Sequence, residues 1–488
     1  MKESTRKVLA GLGIATILAA GAGAWVLNGN PTDRPLAATT GHDPQLVDPE
    51  PEKFPTIAVA KPIGWQPGEA PTAAAGLQVN RFAEGLDHPR TMLTLPNGDV
   101  LVSETNRPAG KGPGGITGLV MKLLFARAGA DAPSPDALVL LRDGNGDGVA
   151  EQRFVLRQGQ GLVSPSGLAW NDGTLYVANH DAVLAFPYKV GDTVLGGAPK
   201  KLMDLPGGGN HWMRNLQLSP DGTKLYVAVG SSSNIAENGI AAEQGRAAIW
   251  ELDVASGRAR QYAGGLRNAN GMDWNPASGE LWTVVNERDM LGGDLVPDYL
   301  TNVPIGAQYG WPWFYWKDKQ DDRVKEPMPP YLNEYVRKPE FALGAHVAAL
   351  GLRFATAGNR LGAHFGNGAF IARHGSWNRK PPSGYDVVFV TFDANGNPRG
   401  LPVPVLGGFL TRNGDTRGRP TWLAFDRTGA LLVSDDTAGI IWRVIAPGAA
   451  PVPGVKPVVT GHMPPQRQLN SEAAASFRPG DDDEADGK

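Results

Sequence analysis

The chain has 488 residues, a formal charge of −3 at neutral pH and no cysteine. That charge gives no basis for nucleic-acid binding, and the missing thiols exclude disulfides, zinc–thiolate sites, iron–sulfur clusters and a cysteine nucleophile. Sixty-four glycines and forty-one prolines suit a turn-rich β fold.

Lys2, Arg6 and Lys7 precede an apolar run over 8–27. The run is about 20 residues long, enough to span a bilayer, and Ala22-Gly23-Ala24 is an acceptable small-residue cleavage site. Residues 1–27 are therefore predicted to be a signal peptide or an uncleaved membrane anchor. Either places the rest in the periplasm or otherwise outside the cytoplasmic membrane. Residues 28–76 are rich in Pro, Ala, Gly and Thr without a sustained period, and read as a linker or a loosely attached arm.

From residue 77 one phrase recurs, a strand, a D-G-type turn and a second strand. It reads T-M-L-T-L-P-N-G-D-V-L-V-S over 91–103, S-G-L-A-W-N-D-G-T-L-Y-V-A over 166–178, and N-L-Q-L-S-P-D-G-T-K-L-Y-V-A-V over 215–229. It returns at 268–288, in degenerate form at 351–373, and as W-L-A-F-D-R-T-G-A-L-L-V-S at 422–434. One such hairpin cannot bury its apolar face alone, whereas several arranged radially can. The pattern predicts an all-β chain, a six-bladed β-propeller over 77–446. Copies lie roughly 50 to 80 residues apart, longer than compact propeller repeats, so long inter-strand insertions are expected. Residues 447–488 are Pro-rich, then acidic (Asp481, Asp482, Asp483, Glu484), and read as a disordered tail.

Within 142–151, Asp143, Asn145, Asp147 and Glu151 are spaced like the ligands of a calcium loop, with Gly148 at the sharp turn. Position twelve is Phe154 rather than glutamate, so an Asx-rich turn is the competing reading. Four further clusters stand at strand ends. Asn210-His211 follows a triple glycine, where a backbone can approach a ligand and a neutral imidazole can serve as base. Arg267-Asn268 sits in the matching loop of the next copy, placed to pair with a carboxylate or developing oxyanion. Asn286-Glu287-Arg288-Asp289 through Gly293-Asp294 suits a hard cation. It leads to Tyr309-Gly310-Trp311-Pro312, flat surfaces for a ring or else an aromatic core. Arg373-His374-Gly375-Ser376-Trp377-Asn378-Arg379-Lys380 is dense in cations, and Arg419 belongs with it. Converging arginines, one histidine and a cation site imply an anionic ligand over the central channel. No G-x-G-x-x-G between strand and helix and no G-x-S-x-G elbow is present.

These residues resemble the glucose/sorbosone dehydrogenase family, soluble β-propeller quinoproteins that use pyrroloquinoline quinone (PQQ). The resemblance runs over 82–443. It rests on Gly85-Leu86-Asp87-His88-Pro89, Asn210-His211, Gly265-Leu266-Arg267-Asn268, Asn286-Glu287-Arg288-Asp289, Tyr309-Gly310-Trp311-Pro312, His374-Gly375-Ser376-Trp377-Asn378-Arg379 and Gly418-Arg419-Pro420, and is nearest to the sorbosone dehydrogenase branch. It implies His211 as general base for a sugar or sugar aldehyde and Arg267 with calcium as stabilisers of charge on the quinone. By the same resemblance Asn210, Asn268 and Arg419 lie on the cofactor. Calcium would be held around Arg288 and Asp289, with Asp294 added, and electrons would pass to an external quinone or cytochrome. The family's PQQ-binding lysine has no alignable counterpart; Arg373 or Lys380 is the cation available in its place, and Arg379 is a further cofactor-binding candidate. The second of its paired arginines is Thr421. The alternatives are a calcium-dependent lactonase or esterase on the same fold, and a non-catalytic propeller that binds a glycan or protein.

Overall fold

The structure, a computed structural model, describes residues 29–53, 55–108, 126–129 and 131–458. The N-terminal apolar run and the acidic tail lie outside them. Each copy of the repeated phrase forms the two inner strands of a four-stranded antiparallel blade, and the arm adds a short fifth strand, Thr40–Gly41 or Thr72–Ala73, to the outer edge of two of them. Blade 1 is Pro89–Thr94, Val100–Glu104, Ala137–Arg142 and Gln152–Gln158; blade 2 is Gly167–Asn171, Thr174–Ala178, Ala182–Pro187 and Lys200–Asp204. Blade 3 is Arg214–Leu218, Lys224–Val229, Ala248–Asp253 and Ala259–Gly264; blade 4 is Ala269–Trp274, Leu281–Val285, Pro297–Asn302 and Phe341–Ala345. Blade 5 is Ala349–Phe354, Gly368–Arg373, Asp386–Phe392 and Pro398–Gly407. Blade 6 takes Pro420–Phe425, Leu431–Asp435 and Ile440–Ile445 from the end of the propeller, and its outer strand, Gln78–Ala83, from the start. The prediction of six blades holds.

The second strands carry apolar runs on both faces because each blade is packed between two others. Val100, Leu101 and Val102 are fully buried, as are Leu431, Leu432 and Val433. Burial on both faces removes the alternation of a half-exposed strand. Long insertions are also found. Residues 303–340 leave blade 4, climb the edge of blade 3 through Gly264–Gln308 bridging, and bury Tyr309, Trp311 and Trp316.

In every blade the start of the inner strand pairs with the end of the second, as Pro89 with Glu104, Arg214 with Val229 and Pro420 with Asp435. These ends therefore share one face, the mouth of the central channel. Near it the register slips at the same place in blades 1, 4, 5 and 6. Such bulges re-aim side chains. They also free backbone amides, and Thr91 N and Trp422 N donate instead to Ser103 Oγ and Ser434 Oγ at 3.0 and 2.9 Å.

The described part of 28–76 is not loosely attached. Thr32 N donates to Lys380 O, Glu50 N to Leu291 O, Ala58 N to Trp377 O, and Lys61 O accepts from Thr416 N, all within 3.0 Å. The arm crosses the mouth-side loops of blades 4, 5 and 6. Its backbone groups have no regular sheet of their own and are satisfied there. Among the described residues no helix is long and apolar enough to cross a membrane.

Candidate functional site

The mouth brings together residues from five blades. His211 stands in the loop before blade 3, half-buried, with Nδ1 2.9 Å from Ser231 O and 3.0 Å from Ser231 Oγ. A carbonyl can only accept, so Nδ1 carries the hydrogen. Nε2 is then the lone-pair nitrogen. Burial, with the nearby Arg267 charge adding to it, pushes the imidazole pKa down to about 3. The ring is neutral and poised as an acceptor.

Arg267 and Asn268 end the loop before blade 4. Arg267 is 5% exposed. Its Nε and two terminal nitrogens donate to Asn234 O and Oδ1, Asn286 O, Glu287 O and Asp289 Oδ2. Five N–H groups meet five acceptors, so the guanidinium acts as a fixed charge and has no free fork for a ligand. Asn268 borders His211. A Cβ at Gly230 would lie 2.3 Å from Asn268 Oδ1 and 2.7 Å from His211 Cβ, so only glycine lets the two side chains meet over that strand end. Asn210 is exposed, and its amide donates to Ser232 O.

Asp289 is half-buried between Arg267, at 3.1 Å, and His346 Nδ1, at 3.4 Å. Burial opposes its ionisation, but Arg267 and His346 overcome this and hold the carboxyl below its ordinary range. His346 also donates from Nε2 to Gly292 O. Arg288 points away from the channel, fully buried, with its guanidinium on Pro312 O, Phe314 O, Glu287 and Asp321.

A second group closes the other side of the mouth. Asp436 of blade 6 accepts from Arg90 of blade 1 at 2.6 Å and lies 3.1 Å from His374 Nε2 of blade 5. Burial holds His374 below its ordinary pKa against the pull of Asp436, so Nε2–H of a neutral ring donates to the carboxylate. Arg419 lies over the Tyr385 ring and reaches its hydroxyl at 3.5 Å. Nε of Arg419 and Nε of Arg90 are buried without partners among the described residues. Arg90 and His374 thus share one carboxylate, Arg419 adds its field to it, and cationic donors remain unsatisfied among the described residues.

Three expected cofactor or cation residues are engaged elsewhere. Arg373 forks onto Asp386 and donates to Leu343 O, because its side chain follows the sheet toward the blade's third strand. Arg379 is paired with Asp294 at 3.0 Å beneath the arm, where Arg34 O and Thr32 Oγ1 complete the pair. Asp294 is fully engaged there, and of Arg379 only the buried Nε is left without a partner among the described residues. In the acidic loop, Asp143, Asp147 and Glu151 bring carboxylate oxygens within 4.8 Å of one another, with Asn145 donating to Asp147. The loop follows Arg142, at the end of blade 1 opposite the mouth. An ion there would stiffen that blade without touching the channel.

Sequence reasoning passed over Arg90, Asn234, His346 and Asp436. Arg90 sits inside a strand, and Asn234 ends a plain S-S-S-N run, so neither carries a local pattern. His374 stands in a basic run and a family motif, and neither predicts its pairing with Asp436.

A family model described as TrAA12-like matches residues 137–303 and 330–447, more than half of the chain. The chain belongs to the TrAA12-like family. Its relatives include an uncharacterized protein of Borreliella burgdorferi, 29% identical over 235 residues, which cover 48% of this chain and 60% of that protein. A pyrroloquinoline quinone-dependent sugar dehydrogenase of Hypocrea jecorina is 25% identical over 424 residues, 76% of this chain and 89% of the relative. A pyrroloquinoline quinone-dependent pyranose dehydrogenase of Coprinopsis cinerea is 26% identical over 304 residues, 49% of this chain and 41% of the relative. The chain thus spans less than two thirds of the first and third of these. Solved structures similar to this TrAA12-like chain include the Trichoderma reesei AA12 enzyme, TM-score 0.61 at 22% identity over 77% of this chain and 97% of that one. The holo PQQ domain of the Coprinopsis cinerea pyranose dehydrogenase has a TM-score of 0.60 at 22% identity, covering 79% and 100%. At that identity the likeness is one of fold.

Proposed function

We propose that this TrAA12-like protein is a PQQ-dependent oxidoreductase that, with calcium, oxidises a sugar or sugar aldehyde and passes the electrons to an external acceptor, a quinone or a cytochrome. The observation that carries this is the imidazole of His211, held neutral with Nδ1 tied to Ser231 and Nε2 left as a base beside the fixed Arg267 charge. The residues present fit the cofactor. PQQ has three carboxylates, and the mouth offers a buried Nε on each of Arg419 and Arg90 that no described residue satisfies. A buried cation with open donors is costly unless an anion meets it. A neutral lactone would leave those donors unmet, which disfavours the hydrolase alternative.

Arg419, Arg90 and Asn268 would hold the cofactor, and Asp289 with the carbonyls around Arg288 would hold calcium. When bound, PQQ supplies an ortho-quinone able to take two electrons as hydride, and calcium supplies a Lewis acid. In this chain, His211 Nε2 accepts the proton of the substrate hydroxyl, or of the hydrate hydroxyl of an aldehyde. Ser231 keeps the ring oriented during the transfer. Arg267 favours negative charge on oxygen through its field rather than through a direct bond. The sorbosone-like sequence motifs favour an aldehyde, and the basic-then-apolar N-terminus favours export; cell fractionation tests the latter.

The deciding experiment adds PQQ and calcium to purified protein with a reducible dye and a panel of aldoses and sugar aldehydes. Dye reduction that needs both PQQ and substrate is the expected result. Lactone hydrolysis without PQQ, with no dye reduction, overturns the reading.

A further inference from the structure

The loop that carries His211 has little structure of its own. It begins Pro206-Gly207-Gly208-Gly209, and three successive glycines give the chain the widest freedom it can have. Something outside the loop must therefore order it. Two arginines do so. Arg246 lies on the outer side, with one terminal nitrogen donating to Pro206 O, Gly207 O and Gly208 O. Arg214 lies beneath, at the first position of blade 3's inner strand, and is fully buried. Its guanidinium donates to His211 O at 2.8 Å, Met213 O at 2.9 Å and Pro206 O at 2.8 Å. Its own amide is anchored to Ser166 Oγ of blade 2 at 2.8 Å.

Arg214 is unusual in a second respect. Among the described residues no carboxylate lies within 4.0 Å of it, and its Nε has no partner. Its guanidinium's hydrogen-bond partners are all neutral carbonyl oxygens, and burial pushes its own pKa down to about 9, with Arg246 adding to that and Asp181 opposing it. A charge buried in this way keeps a long reach, because little solvent screens it. The charged groups acting on His211 are Arg267, Asp289 and Arg214, so the two arginines outnumber the one carboxylate.

We propose that Arg214 is the positioning residue for His211: it ties the carbonyls at both ends of the glycine loop to one guanidinium and so sets the imidazole against Ser231. This rests on the reading of His211 as base for its consequence in turnover, but the geometry can be tested without turnover.

The test uses full-length protein labelled with ¹⁵N-histidine, with the His211 signals identified by their loss in His211→Gln. Wild type should show one tautomer with hydrogen on Nδ1 and no titration near neutrality. In Arg214→Met the His211 pKa should rise and the two tautomers should mix. Arg214→Lys should keep the low pKa but lose the single tautomer, since an ammonium group cannot span three carbonyls as the planar fork does. In the PQQ-loaded enzyme, Arg214→Met should lower kcat about 10- to 100-fold, from loss of alignment, move the acid limb of the kcat/KM profile to higher pH, and leave KM nearly unchanged. Folded Arg214→Met with unchanged His211 titration and tautomer overturns the proposal. Should that variant not fold, folded Arg214→Lys with a single tautomer and wild-type kcat overturns it equally. If the tautomer responds as expected while His211→Gln itself turns over normally, the base assignment fails and the positioning role stands.

Discussion

One ring nitrogen carries the chemistry, and its surroundings set testable magnitudes. His211→Ala should cost about 100-fold or more in kcat, the usual size of a general-base effect, while PQQ binding persists. Equilibrium titration of PQQ quenching beside steady-state rates checks both halves. The same ring links pH to stability. Its folded pKa, about 3, lies below the ordinary 6.5. As pH falls through that window the unfolded chain takes up a proton that the folded chain refuses, so His211 lowers stability on acidification. Between about pH 7 and pH 4.5 the wild type should therefore lose more Tm than His211→Gln, and equal losses would remove the burial argument. On the other side of the mouth, Arg419→Gln should weaken PQQ about 10- to 100-fold, the range expected for one charge-assisted bond, with the His211 tautomer unmoved. Much of this was legible in the sequence. His211 after three glycines, and Arg267 and Arg419 before repeat strands, are local patterns. The pairing of His374 with Asp436, 62 residues apart, is not, and neither is the commitment of all five Arg267 donors.

The arm and the two loops beneath it form the element whose role was hardest to anticipate. Composition over 28–76 shows no period, so nothing in the sequence foretold that Thr32, Arg34 and Ala58 would each find a fixed partner. Arg379 looked like a cofactor cation for the same reason, since its partner Asp294 is 85 residues away. The pair is buried on both sides, 4% and 10% exposed. Removing one member of a buried pair typically costs about 3–5 kcal/mol. Arg379→Met should therefore lower stability by that order in denaturant unfolding, and Arg379→Met with Asp294→Leu should recover much of the loss. PQQ affinity should not change in the double variant, which separates Arg379 from Arg419. A double variant that folds well but no longer binds PQQ would return Arg379 to the cofactor.

At the scale of the ring, six hairpins were readable because strand–turn–strand is a local signal, whereas outer strands and insertions depend on which blade lies alongside. Close approach between blades rests on small residues. At Gly271, in blade 4's inner strand, a Cβ would lie 2.5 Å from both Leu350 O and Leu352 N of blade 5. Backbone cannot yield as a side chain does, so Gly271→Ala should destabilise by roughly 1–3 kcal/mol, the range for an overpacked core, measured by Tm against wild type. The circle is sealed by Gln78–Ala83 lying on Ile440–Ile445. A nascent chain thus carries two raw flanks until the ribosome has delivered the sixth blade, since the strand made first waits for a partner made last. Until then its uncovered edges are the ones a holdase must shield from neighbouring chains.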